Sequence, residues 1–77
     1  MKTATFKNGD GEKMTVKIGD YVYFKSDTEQ CGKVTKIHRA SYGPGYLFTV
    51  VNPDGFPGDY LRYETTTEVA SDRIWGE

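Results

Sequence analysis

The sequence predicts an all-β fold, and three observations support this. Eleven aromatic residues (six Tyr, four Phe and one Trp) in a chain of 77 suit strands better than helices. Nine glycines and three prolines divide the chain at short intervals, as short strands joined by tight turns require. Apolar residues alternate with polar ones in several segments, which is the period of a half-buried strand. At this length we expect one domain, residues 1–77, with a small core.

The first two predicted strands, residues 3–7 and 13–17, flank the polar segment 8–12. Two glycines beside Asn and Asp in that segment are expected to take the positive φ angles of a hairpin loop. A period of two relates the apolar residues of the second arm: Met14, Val16 and Ile18. Residues 1–17 are therefore predicted to form an N-terminal hairpin or arm.

A strand is predicted next over residues 21–25. Successive side chains of a strand point to opposite faces, so Val22 and Phe24 should face the core. Tyr21 and Tyr23 should then lie together on the other face.

The following strand is predicted over residues 31–38. Its apolar residues Val34 and Ile37 are three positions apart, which breaks strict alternation and predicts a bulge or bend. Residues 46–52 have apolar side chains on both parities. This pattern predicts a strand that is covered on both faces for part of its length.

A turn at residues 52–55 is indicated by the order Asn-Pro-Asp-Gly, since Pro presets φ and Gly accepts a positive φ. The next strand is predicted over residues 60–66. In the tail, Ser71 is expected to cap a single 3₁₀ turn that leads Ile74 and Trp75 back onto the sheet.

Two segments together carry a resemblance to a known fold. The pattern Gly19-Asp20-x-Val22-x-Phe24, followed by Gly32-x-Val34-x-x-Ile37, resembles the opening strands of SH3-like β-barrels, in particular their KOW and Tudor-like branches. The resemblance covers residues 18–75 and leaves residues 1–17 as an added hairpin or arm. It implies a small SH3-like antiparallel barrel of about five strands, a fold that hosts many unrelated binding roles.

The chain also departs from these families. A KOW element has a tighter, glycine-containing loop where this chain has the acidic and polar residues 26–30. The acidic, tyrosine-rich motif of peptide-binding SH3 domains is absent, so a polyproline ligand is not implied. Tudor-like barrels use aromatic rings to cage a methylated cation, and the tyrosines leave that alternative open.

Non-catalytic binding is the predicted function, by a small accessory or regulatory protein that docks on a protein target. The short chain fits a stand-alone accessory protein of the phage or mobile-element kind. Tyrosine is enriched at interface hot spots, and exposed aromatic residues on loops indicate a partner. The predicted partner-binding residues are Tyr21, Tyr23, Tyr42, Tyr46, Phe56 and Tyr60. Phe56 has a second interpretation, in which it folds back and fills one end of the barrel.

Nucleic-acid binding is the alternative function. Its predicted residues are Lys33, Lys36, His38 and Arg39, with Tyr46 nearby. Cations neutralise phosphates while a tyrosine ring stacks on a base. The competing interpretation is a solvated strand whose charges discourage pairing with other chains. The net charge of −1 argues against a general nucleic-acid coat, which would be clearly basic.

Other function classes find little support in the residues. We do not expect an enzyme, because His38 has no serine, cysteine or paired carboxylate placed beside it by the sequence. A zinc site needs about four ligands, and the chain offers one cysteine, Cys31, and one histidine. Neither a metal nor a cofactor is therefore expected. No segment approaches the roughly 20 apolar residues of a membrane span. We therefore expect a cytoplasmic protein. We also expect a monomer or weak homodimer. The sequence does not identify the partner.

Overall fold

Seven β-strands form two antiparallel sheets in the residues that the computed structural model describes, which are 1–25, 29–41, 45–56 and 64–75. The elements are β1 (Thr3–Lys7), β2 (Lys13–Lys17), β3 (Tyr21–Lys25), β4 (Glu29–Arg39), β5 (Tyr46–Val51), β6 (Thr66–Ala70), a 3₁₀ turn (Ser71–Arg73) and β7 (Ile74–Trp75). β1 pairs with β2 alone, and the other five form a sheet in the order β6-β5-β4-β3-β7. The prediction of an all-β, antiparallel fold is confirmed.

The predicted strands differ in how closely their bounds match the strands of the structure. β1, β2 and β3 have the predicted bounds, and the N-terminal segment is a hairpin rather than a loose arm. The bulge predicted in β4 is confirmed by a register shift between Val34 and Lys36. Of the strand predicted over 60–66, residues 64 and 65 are not in a strand, and residue 66 begins β6, which continues to Ala70. Residues 60–63 of that prediction lie outside the described residues.

The hydrophobic core lies between the hairpin and the inner face of the five-stranded sheet. The hairpin contributes Ala4, Phe6 and Val16, all buried. The ring of Phe6 lies 5.3 Å from that of Phe48, a fully buried residue of β5. Full burial of one such side chain stabilises the fold by about 1.5–3 kcal/mol, so the hairpin is an integral part of the folded chain.

The Gly-Asp pair at residues 19 and 20 joins the two sheets. Gly19 has a φ of 99°, a conformation that favours glycine. Its N–H donates to the carbonyl of Val34 (2.8 Å), and the N–H of Val34 donates to the carbonyl of Asp20 (2.9 Å). The Asp20 carboxylate accepts the N–H of Lys17 at 3.0 Å. These bonds hold the end of the hairpin against β4.

The hairpin loop is organised by one buried polar side chain, that of Asn8. Its Oδ1 accepts the N–H groups of Asp10 (3.0 Å) and Glu12 (2.9 Å). Gly11 has the predicted positive φ, at 81°, whereas the φ of Gly9 is not positive, contrary to the prediction. Gly9 is required for a different reason: a Cβ there would lie 2.5 Å from the carbonyl oxygen of Asp72, which accepts the Gly9 N–H.

Asn8→Ala should lower the free energy of unfolding by about 1–3 kcal/mol, because two N–H groups of the loop lose their acceptor. Urea denaturation of the variant and the parent would measure this difference. Asp10→Ala is the matched control, since the Asp10 side chain is exposed, and it should change stability by less than about 0.5 kcal/mol. Equal stability of Asn8→Ala and the parent would contradict the assignment of Asn8 as the organiser of the loop.

Candidate functional site

The outer face of the five-stranded sheet carries an exposed pair of tyrosines. Tyr21 is 66% exposed and Tyr23 is 38% exposed, while Val22 and Phe24 between and beside them are buried, as predicted. Tyr23 lies opposite Trp75 of β7, which is half-buried. These three residues, Tyr21, Tyr23 and Trp75, are called the aromatic strip below.

A row of basic side chains on the same face begins beside Tyr21 and continues along β4 beyond the end of β3. Val34 and Ile37 are both buried although they are three residues apart, because the bulge adds one residue between them. Lys33, Lys36 and His38 are consequently all exposed on the outer side of β4. Lys33 lies directly opposite Tyr21 in the register of β3 and β4. Lys33, Lys36 and His38 are called the basic row.

Partly apolar residues of β5 complete this face. Leu47, Thr49 and Val51 are half-buried and lie opposite His38, Lys36 and Lys33 in that order. On the far side of β5, the exposed Glu68 lies opposite Thr49. The outer face therefore combines aromatic rings, a half-buried aliphatic centre and cations, with the carboxylate of Glu68 at the β6 side and that of Glu29 at the start of β4.

Tyr46 and Arg39 lie elsewhere, at one end of the core side of the sheet. They are register partners in β4 and β5. Tyr46 shares its parity with the buried Phe48, and its ring lies 6.4 Å from Phe48 and 6.3 Å from Phe6. Both residues line a cleft of about 400 Å³, together with Thr5, Phe6, Lys7, Gly45, Ser71 and Asp72. This cavity is called the end cleft.

The backbone of Tyr46 is fixed by the 3₁₀ turn. Its N–H donates to the Ser71 hydroxyl oxygen at 3.1 Å. Gly45 precedes it with a φ of 121°, and a Cβ there would lie 2.8 Å from the same hydroxyl oxygen. The 3₁₀ turn itself and the return of the buried Ile74 to the sheet are as predicted. The cap is not: Ser71 lies inside the turn, and no side chain caps it.

The remaining predicted partner residues divide in two ways. Phe56 is fully buried, and its ring meets that of Phe24 edge-on at 5.8 Å. The fold thus uses Phe56 as core, which agrees with the interpretation that it folds back. Tyr42 and Tyr60 lie outside the described residues.

The predicted residues therefore belong to two separate surfaces. Tyr21 and Tyr23 share the outer face with Lys33, Lys36 and His38, whereas Tyr46 and Arg39 share the end cleft. Sequence reasoning missed Trp75, because a two-residue strand gives no alternation signal, and it missed Lys7. The alternation of Lys and Thr along the hairpin predicts that Lys7 is exposed, but it does not place Lys7 beside Arg39.

Two features are absent from the described part of the chain, residues 1–25, 29–41, 45–56 and 64–75: a cluster of metal ligands and a membrane-spanning helix. No group of three or more His, Cys, Asp or Glu side chains is placed there to hold a metal ion. No helix among these residues has the length and apolar character needed to span a bilayer. His38 is exposed and lies opposite Leu47 in the sheet, and Cys31 is half-buried opposite Tyr23.

Comparison with protein-family models, with curated proteins and with solved structures finds no match to this chain.

Proposed function

We propose that this chain is a non-catalytic binding module that docks on a protein partner through the outer face of its five-stranded sheet. We further propose that the sheet is that of an SH3-like barrel. Two features support this assignment: the first strand of the sheet, β3, neighbours the last, β7, and a 3₁₀ turn precedes β7. The Gly-Asp entry to β3 and the glycine of β4 carry the resemblance in sequence.

One observation carries the docking proposal, the exposure of Tyr21 and Tyr23. The core uses the alternate residues of β3, which are at most 5% exposed, so core packing does not require an aromatic ring at position 21, where the side chain is 66% exposed. Lysine or threonine would satisfy a solvated strand there. Tyrosine supplies a large apolar surface with few rotatable bonds, which makes it an interface anchor.

The basic row defines the chemistry of the partner. Lys33 lies opposite Tyr21, and Lys36 lies two register pairs further along β4, so a protein bound on the tyrosines brings its own side chains towards two ammonium groups. A partner with an apolar pocket flanked by carboxylates complements this face. The aromatic strip would supply most of the affinity, and the lysines would raise the association rate. The module would act by occupying the partner's surface.

Nucleic-acid binding by the basic row is a second candidate. The bulge favours it because three of the four predicted residues lie on the outer side of β4, with Lys33 beside Tyr21. Arg39 is separated from them by its place in the end cleft. Two lysines and one histidine on an exposed strand give only weak electrostatic binding at physiological salt. We therefore favour the protein partner for this face.

The double variant Tyr21→Ser/Tyr23→Ser should lose the partner. The tagged parent chain is used to isolate proteins from a nuclease-treated lysate, and the strongest candidate is purified. Loss of two anchors worth about 2 kcal/mol each should weaken its affinity by at least about 30-fold in calorimetry, even if the two losses are not additive. Tyr21→Phe/Tyr23→Phe keeps both rings and serves as the matched control, with affinity within a few-fold of the parent.

Both variants should fold, and the serine variant should lose some stability at position 23, where the ring is 38% exposed and lies opposite Trp75. Thermal denaturation by circular dichroism checks this point. If the serine variant folds and still binds the purified partner with parental affinity, the outer face is not the docking surface.

A further inference from the structure

The outer face of the N-terminal hairpin is built only from lysine and threonine. The inward residues Ala4, Phe6 and Val16 are buried. The six outward residues of β1 and β2 are all exposed: Thr3, Thr5, Lys7, Lys13, Thr15 and Lys17. None of these six positions carries a carboxylate. They are called the lysine–threonine face.

Cross-strand pairing on this face places like charges directly opposite each other. Lys7 lies directly opposite Lys13 in the register of the hairpin. Like charges at directly opposed positions of an antiparallel pair are destabilising, whereas a Glu at either position would stabilise the strand pair. The fold therefore tolerates a repulsion that it does not need. A bound polyanion would remove that repulsion.

Hydroxyl groups fill the space between the charges. Thr5 lies opposite Thr15, and their hydroxyl oxygens are hydrogen-bonded at 3.1 Å. Lys17 lies opposite Thr3 at the other end. The face thus spreads three ammonium groups and three hydroxyls along about 13 Å of strand, given about 3.3 Å per residue. Ammonium and hydroxyl groups are the common side-chain donors to phosphate oxygens.

The lysine–threonine face continues into the end cleft. Thr5 and Lys7 line that cleft together with Arg39 and Tyr46. A third side chain of the same sign therefore follows Lys13 and Lys7, and an aromatic ring lies beside it. Asp72 contributes a carboxylate to the cleft, which leaves two cations against one anion among its lining residues.

We propose that the lysine–threonine face binds the phosphate backbone of single-stranded nucleic acid, with a base received in the end cleft beside Tyr46. A concave site that joins cations to an aromatic ring suits a flexible strand, whose bases are accessible. A flat anionic membrane would favour apolar side chains beside the cations, but those of β1 and β2 are turned into the core. The exposed Met1 and Ile18 flank only the Lys17 end.

This interface meets the proposed protein-docking face at one edge, where Thr15 lines a cleft with the aromatic strip. The residues that line the end cleft include none of the aromatic strip. A chain that uses both surfaces would connect a protein partner to a nucleic-acid strand. Each proposal can fail without the other, since they involve different side chains.

The test measures fluorescence anisotropy of a labelled oligothymidylate of about 15 nucleotides, with salt varied between about 50 and 200 mM. If Lys7, Lys13, Lys17 and Arg39 each neutralise one phosphate, the slope of log K against log salt should be about −2.8. Lys7→Gln/Lys13→Gln should reduce the slope to about −1.4 and weaken binding about 25-fold at 0.1 M salt. Arg39→Gln should reduce the slope by about 0.7, which tests the end cleft separately.

Lys33→Gln/Lys36→Gln is the matched control, because it makes the same change of charge on the outer face of the other sheet. We expect its affinity to stay within about threefold of the parent, the size of a purely long-range effect. The Lys7/Lys13 variant should melt at the parental temperature or higher, since a repulsive pair is removed. Weaker binding together with unchanged or raised stability cannot result from unfolding.

Several results would overturn the proposal. One is a parent chain that does not bind the oligonucleotide. Another is an equal loss in the hairpin variant and the control, which would indicate net charge alone. A loss confined to the control would place the interface on the basic row. Tighter binding to vesicles of anionic lipid than to the oligonucleotide would make the face a membrane contact.

Discussion

Replacing Phe56 by alanine should lower the free energy of unfolding by about 3–5 kcal/mol, the range measured when a fully buried phenylalanine is truncated. Phe56 is 0% exposed and its ring packs edge-on against Phe24, which is 1% exposed. Truncation would leave a cavity next to β3, the strand that carries Tyr21 and Tyr23. Small domains have total stabilities of about 5–15 kcal/mol, so this loss is a large part of the total.

Urea denaturation followed by tryptophan fluorescence measures the effect, because Trp75 lies in β7, which pairs with β3 beside Phe24. Phe56→Leu refills much of the cavity and should cost clearly less than alanine. Tyr21→Ser is the control with the reverse expectation: its stability should change little, whereas its affinity for the partner should fall strongly. If Phe56→Ala kept parental stability and lost only the partner, Phe56 would be a docking residue after all.

Much of the fold could be predicted because local alternation is strong where each strand has a solvated and a buried side. In β1 and β3 every second residue is buried without exception, and the predicted bounds of these strands match the structure. The bulge in β4 was also readable, since Val34 and Ile37 cannot both face the core without one extra residue. Residues 67–70 of β6 were not predicted as strand, because Val69 is the only buried residue of β6 and its alternation is too weak to locate it.

The candidate sites were harder to predict than the strands, since a surface is assembled from several elements. By residue type, Tyr46 belongs with the other tyrosines and Arg39 with the lysines of β4. Their parity in β5 and β4 nevertheless places them on the core side of the sheet. Lys7 belongs with Arg39 only because the hairpin packs next to the 3₁₀ turn, where Gly9 donates to the Asp72 carbonyl. No local pattern contains that contact.

Gly32 shows a similar limit, because its importance depends on a neighbouring strand. The glycine is buried in β4 opposite Val22 of β3. A Cβ at this position would lie 2.5 Å from Val50 Cγ1 and 2.9 Å from the Val51 carbonyl oxygen. Val50 is 0% exposed, so its methyl group has no free space to move into, and the carbonyl belongs to the backbone of β5. β4 and β5 can approach this closely only without a side chain at residue 32.

Gly32→Ala should therefore destabilise the chain by about 1–3 kcal/mol, the cost of adding a methyl group to a packed core, and we expect the upper part of that range because backbone is involved. The strain would separate β5 from β4 at the register pair of Lys33 and Val51, which lies within the outer face. In Gly32→Ala, partner binding should weaken along with stability. Cys31→Ala is the control: it shortens a half-buried side chain without adding an atom, so it should affect stability and binding less. Thermal denaturation and calorimetry with the purified partner measure the two effects. A Gly32→Ala variant as stable as the parent would show that β5 can shift outward without loss, and the close contact between β4 and β5 would then not be what fixes the outer face.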